Sequence, residues 1–154
     1  MIMAKEIERK FLVTDSQFIK SLDGGTRIVQ AYLSTNPDAT VRIRIMGNHA
    51  FLTVKSRNVG ISRGEWEYEI PIADAEEMIE QCGLNDRIVK TRYRLNRWEI
   101  DVFHEQLEGL VIAEIEMTDI NESIQIPHFI GQAVSDDPRY FNSNLLKSNI
   151  LNEK

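Results

Sequence analysis

Charged residues fall at every second position in several short stretches of this chain: Glu6, Glu8 and Lys10; Arg42 and Arg44; Glu65, Glu67 and Glu69; Lys90, Arg92 and Arg94; Glu99 and Asp101; Glu114 and Glu116. Thr53 and Lys55 continue the same spacing. The residues between them are mostly apolar, among them Ile7, Ile43, Val54, Trp66, Tyr68, Ile100, Val102 and Ile115. Alternate strand residues share a face, so each stretch has one apolar side and one side of nearly uniform charge. Like charges spaced roughly 7 Å apart along a strand repel, and an ordinary solvated face mixes signs to avoid this. Recurrent like-charge rows are explained if acidic strands lie across from basic ones, or if the acids hold a metal while the bases hold an anion.

The lining suggests the ligands. Carboxylates without regularly placed His or Cys favour a hard, oxygen-preferring cation, Mg²⁺ or Mn²⁺ before Zn²⁺. His49, His104 and His128 are isolated in predicted turns or loops and are not read as ligands. Lys10, Arg42, Arg44, Lys55, Lys90 and Arg92 supply ammonium charges and guanidinium forks suited to phosphate oxygens. Acids with a metal on one side and many bases on the other describe a polyphosphate site. No glycine-rich phosphate loop is present, so a helix N-terminus is not the binding device.

Strands must position these groups. The alternation predicts strands over 5–13, 27–34, 39–47, 50–57, 64–72, 87–95, 97–104 and 110–118, separated by turn signals such as Asp23-Gly24-Gly25 and Gly47-Asn48. Short helices are expected from Thr14 or Asp15 to Leu22, over 75–82 behind Asp74 and Glu77, and over 138–147 behind Asp137-Pro138. Residues 149–154 are expected to fray. The pattern fits an antiparallel barrel or sandwich. With the apolar face turned outward under the helices, the charged face would line a barrel, and burying so many ions requires pairing or a ligand.

The 154 residues read as one domain, 1–154, with no composition shift that would begin another. A formal net charge of −6 argues against broad affinity for nucleic acid or anionic membrane. The charged N-terminus lacks a signal-peptide pattern and no apolar run is long enough for a membrane helix, so a cytoplasmic protein is expected. The single cysteine, Cys82, reads as a buried structural thiol. Exposed apolar strand faces would allow a homodimer.

The segment Glu6-Ile7-Glu8-Arg9-Lys10-Phe11-Leu12 resembles the E-x-E-x-K signature of the CYTH, or triphosphate tunnel metalloenzyme, family. The resemblance continues in order through Gln30-Ala31-Tyr32-Leu33, Val41-Arg42-Ile43-Arg44, Leu52-Thr53-Val54-Lys55, Arg63-Gly64-Glu65-Trp66-Glu67, Lys90-Thr91-Arg92-Tyr93, Trp98-Glu99-Ile100-Asp101 and Ala113-Glu114-Ile115-Glu116. Asp136 to Asn142 is similar to the C-terminal segment of short bacterial members. The resemblance implies an α+β fold: an eight-stranded antiparallel β-barrel, or tunnel, with a few short helices packed outside. It implies metal-dependent hydrolysis of a small-molecule triphosphate, with inorganic triphosphate first among the substrates. A cyclase acting on ATP, a thiamine or nucleoside triphosphatase, and a non-catalytic polyphosphate-binding module are the alternatives. By position, Glu6, Glu8, Glu114 and Glu116 would be the main metal ligands, with Glu65, Glu67 and Asp101 serving a second metal or orienting water. Lys10, Arg42, Arg44, Lys55, Lys90 and Arg92 would hold phosphates, helped by Arg139. Tyr32 and Lys90 resemble a pair that assists hydrolysis. The charged form of Lys90 should be disfavoured by Arg42, Arg44 and Arg92.

Overall fold

A computed structural model describes residues 5–84 and 86–147; the expectation for residues 149–154 lies outside them. The strands are β1 (Lys5–Leu12), β2 (Thr26–Ser34), β3 (Ala39–Met46), β4 (His49–Ser56), β5 (Ser62–Ile70), β6 (Arg87–Leu95), β7 (Trp98–Phe103) and β8 (Val111–Glu116). All pairs are antiparallel, and the order β1-β5-β4-β3-β2-β6-β7-β8 closes into a barrel. Each predicted strand is present to within two residues at either end, because the alternation that buries one face persists only as far as the ladder does.

Strand register makes the charged face continuous. Directly opposed residues share a face, and the pairs Glu8 with Glu116, Glu114 with Glu99, Asp101 with Arg92, Gln30 with Arg44, Arg42 with Thr53, Lys55 with Glu65 and Arg63 with Glu6 run around the barrel. Glu6, Lys10, Arg42, Lys90, Asp101 and Glu114 are buried, so this face is the interior. The intervening apolar residues point outward. Phe11, Trp98, Ile100, Ala113 and Ile115 pack with Phe129 beneath Phe18, Ile19 and Leu22, which belong to or flank the short helix α1 (Ser16–Lys20). Asp15 caps that helix, its Oδ1 accepting from the Phe18 amide at 3.0 Å. Helix α2 (Ile72–Gln81) sets Ala75, Met78 and Ile79 against Ile43, Ala50 and Leu52 of β3 and β4. On β5 the outward Trp66 and Tyr68 remain exposed.

Three local expectations are corrected. Helix α2 begins at Ile72 after Pro71, not at residue 75: Pro fixes the entry conformation, and Asp74 falls inside the first turn without a side-chain capping bond. Residues 138–147 do not form one α-helix. A 3₁₀ turn, Pro138–Tyr140, is capped by Asp137; Phe141 is extended, and a second 3₁₀ segment, Asn142–Lys147, follows. The break lets Leu145, 1% exposed, enter one end of the barrel, where it meets Ile88, Phe103, Leu107, Leu110 and Ile112. The interior is therefore charged over most of its length and stoppered by hydrocarbon at that end. Finally, Cys82 is exposed. It is the C-cap of α2, beyond the residues that the helix buries.

The β1–β5 seam is short, with Lys5, Glu6 and Ile7 paired to Gly64, Arg63 and Ser62. Beyond it a strap covers the free edge of β1. The Leu12 amide donates to the Gln132 carbonyl and the Gly131 amide to the Leu12 carbonyl, both at 2.8 Å, while the Val134 amide reaches the Lys10 carbonyl at 2.9 Å. No helix among the described residues is long and apolar enough to cross a membrane.

Candidate functional site

Neighbouring strands β1 and β8 bring Glu8 directly opposite Glu116 and Lys10 opposite Glu114. One ammonium serves this corner: Lys10 Nζ lies 3.7 Å from Glu8 and 3.8 Å from Glu114. Burial, then the charges of Glu114 and Glu6, push the Glu8 carboxyl up to about 8. Burial with Glu6 and Glu99 nearby raises Glu116 as well. Burial is the largest influence on Glu114 and opposes its ionisation, but Lys10, Arg92 and Lys90 together hold that carboxyl below its ordinary range. The corner thus carries more negative charge than its cation neutralises. Carboxylate oxygens are the ligand type that a hard divalent cation takes, although among the described residues no three acidic side chains draw together into a ready-made metal-binding group.

Glu6 is placed differently. Its carboxylate accepts from Lys55 Nζ at 3.0 Å and from Arg63 Nε at 3.1 Å. Burial acts to raise it, yet Lys55 and Arg63 hold it well below the carboxylate range. Lys55 also reaches Glu65 at 3.1 Å. Burial and the adjacent Glu6 raise the Glu65 carboxyl.

Across the interior, β3 presents Arg42 and Arg44. Arg44 donates to Glu67 Oε2 at 3.1 Å, and Arg42 lies 3.7 Å from the same oxygen while donating to Thr53 at 3.3 Å. The Nε–H groups of both arginines are buried without a partner, as is the Gln30 amide oxygen. On β6 and β7, Arg92 forks Asp101 with two bonds of 2.8 Å, and Lys90 Nζ approaches Asp101 at 2.8 Å. Against the penalty of burial, Lys90 and Arg92 keep the Asp101 carboxyl well below its usual range. Lys90 itself is pushed down to about 8, mainly by burial, with Arg92 contributing and Asp101 opposing. The direction matches expectation, but desolvation outweighs the neighbouring cations that were expected to cause it.

The structure gathers Glu6, Glu8, Lys10, Arg42, Arg44, Lys55, Glu65, Glu67, Lys90, Arg92, Asp101, Glu114 and Glu116 on one inner surface. Tyr32 joins them beside Arg42, bordering a narrow cavity with Lys55, Arg63, Phe141 and Asn142. Its hydroxyl accepts from the Gln30 amide at 3.4 Å, and Tyr32 and Lys90 do not hydrogen-bond to each other directly. Arg139 is not brought into the interior; it sits on the exposed 3₁₀ turn and forks Asp137. Arg63, Gln30 and Thr40 also stand on the inner face, though the first two appeared only as members of matched motifs and none was given a role. Arg63 stands two positions before Glu65, and Gln30 two before Tyr32, so the same alternation marks both.

The CYTH domain profile matches residues 4–141. The chain belongs to the CYTH domain family. This CYTH chain is 44% identical over 156 residues to a protein of Acetivibrio thermocellus named inorganic triphosphatase, with 99% of each chain covered. It is 35% identical over 154 residues to an inorganic triphosphatase of Nitrosomonas europaea, covering 93% of this chain and 97% of that one. Its fold is similar to a crystal structure of an inorganic triphosphatase, with a TM-score of 0.61 and 32% identity over 90% of this chain and 95% of the other.

Proposed function

We propose that this chain hydrolyses inorganic triphosphate to pyrophosphate and orthophosphate inside the barrel, with a divalent cation, Mg²⁺ or Mn²⁺, at the acidic corner. The observation that carries the reading is the pairing of opposite imbalances on one buried surface. Glu8, Glu114 and Glu116 have too few cations, while Arg42 and Arg44 retain unpartnered guanidinium hydrogens. A metal–triphosphate complex relieves both at once. The names of the relatives support the substrate.

Glu8, Glu114 and Glu116 hold the cation, because Glu6 is engaged by Lys55 and Arg63. Bound there, the cation offsets charge on the phosphate oxygens. Arg42, Arg44, Lys55 and Arg92 orient the phosphates and stabilise the charge that shifts onto them as the terminal P–O bond breaks. Asp101 fixes Lys90 and Arg92 in place. Lys90, whose ammonium is brought down to about 8, exchanges protons with the reacting oxygens.

Phosphate release from inorganic triphosphate, thiamine triphosphate and ATP, each with Mg²⁺ or Mn²⁺, tests the assignment. Inorganic triphosphate should be consumed fastest, and Glu8→Gln or Glu116→Gln should abolish metal-dependent turnover. Conversion of ATP to a cyclic nucleotide as the main reaction, or full activity in either variant, would overturn it.

A further inference from the structure

We infer that Gln30 is the residue that holds the attacking water, its side-chain oxygen accepting a hydrogen bond from that water beside Tyr32. The inference rests on the triphosphatase reading and adds to it the position of the nucleophile.

Gln30 is 0% exposed at the middle of β2, with Arg44 opposite on β3 and Ile88 opposite on β6. Its Nε2 donates to the Tyr32 hydroxyl at 3.4 Å, leaving Oε1 without a partner. A buried amide oxygen left unpaired carries a penalty that proteins rarely retain without cause. The Nε atoms of Arg42 and Arg44, on the adjacent strand, are also buried and unpaired. These three atoms ask for different things. The guanidinium groups need an acceptor, which a polyphosphate supplies through its oxygens. The Gln30 oxygen needs a donor, and a fully ionised triphosphate has no hydrogen to give. Among the reactants of a hydrolysis, only water carries one. A site shaped for triphosphate alone would leave Gln30 Oε1 unsatisfied, whereas a site shaped for triphosphate and water satisfies all three.

In the step, the water oxygen bonds to the terminal phosphorus as the bridging P–O bond breaks, and that electron pair leaves on pyrophosphate. One water hydrogen stays on orthophosphate and the other ends on pyrophosphate. Gln30 takes no proton. Its amide aims a water lone pair by holding one hydrogen, and misplacing the nucleophile costs about tenfold to a hundredfold in rate.

The test compares Gln30→Leu and Gln30→Glu with wild type in kcat, in triphosphate affinity measured calorimetrically on the metal-free protein, and in Tm. Leu matches the amide's bulk without an acceptor; Glu keeps the acceptor oxygen. We expect Gln30→Leu to lower kcat by about tenfold to a hundredfold with Kd and Tm nearly unchanged, and Gln30→Glu to recover most of the kcat at saturating substrate. Wild-type kcat in Gln30→Leu overturns the inference. So does loss of affinity with kcat retained, which would assign the amide to gripping phosphate. If the Leu variant does not fold, a folded, triphosphate-binding Glu variant with no turnover is the overturning result, and one with turnover supports the inference. Wild type that binds triphosphate without hydrolysing it sinks the triphosphatase reading itself, whereas active wild type with unaffected Gln30 variants sinks only the role of Gln30.

Discussion

Glu8 concentrates the electrostatic strain of the interior, and its titration gives that strain a measurable sign. Its carboxyl is raised from 4.5 to about 8 in the fold, so the folded state prefers it protonated. Stability from this group is fully present below the ordinary carboxylate range and is lost as pH rises through about 8. Metal-free protein should therefore lose thermal stability from about pH 5 to about pH 8 relative to Glu8→Gln, with the variant melting higher at the alkaline end. Saturating Mg²⁺ or Mn²⁺ should raise the wild-type Tm and reverse the order, as scanning calorimetry with and without cation would record. A variant that melts below wild type at every pH without metal would refute this account. At this scale the charged rows were legible because like charges repeated at alternate positions on several strands repel unless opposite rows or ligands offset them. Gln30 was given no role because alternation places it on the inner face with Tyr32 but, being neutral, it says nothing of what it binds until its unpaired oxygen is seen in place. Arg63 escaped because Gly64 interrupts the apolar side of the alternation there, although a side chain at Gly64 would collide with the Trp66 ring, its Cβ 2.6 Å away.

Elements were legible to the degree that local chemistry dictates them. Strand alternation and the Asp15 cap act within a few residues, so both could be read along the chain. The C-terminal segment could not, because its form is set by a distant cavity: Asp137-Pro138 starts a helical turn, but burying Leu145 among strand residues forces the extended Phe141. The strap on β1 is another tertiary feature without a local sign. Gly131 sits where a Cβ would lie 2.8 Å from the Leu12 carbonyl oxygen, the backbone atom that accepts from the Gly131 amide itself. Gly131→Ala should destabilise the fold by about 2 kcal/mol through this overlap, measured as a lower urea midpoint at unchanged slope. A midpoint equal to wild type would mean the strap yields freely. The strap also carries Ser135, whose Oγ accepts from the Lys10 amide at 2.8 Å, so its register bears on a lysine of the acidic corner.

At the scale of the molecule, the barrel inverts the usual small-barrel arrangement. Its hydrocarbon lies outside the wall and its ions within, and the remaining apolar cluster inside is the stopper around Leu145. Leu145→Ala should cost about 2–5 kcal/mol, because the cavity it opens is walled by Phe103, Ile88 and Ile112 on fixed strands. Chemical denaturation would measure it. That stopper also governs traffic. Any guest crossing that end would have to push Leu145 out of its packing against Ile88, Phe103 and Ile112. A long chain of phosphates drawn through and trimmed as it passes would meet that obstacle at every advance, whereas a short guest held among the charged rows would not.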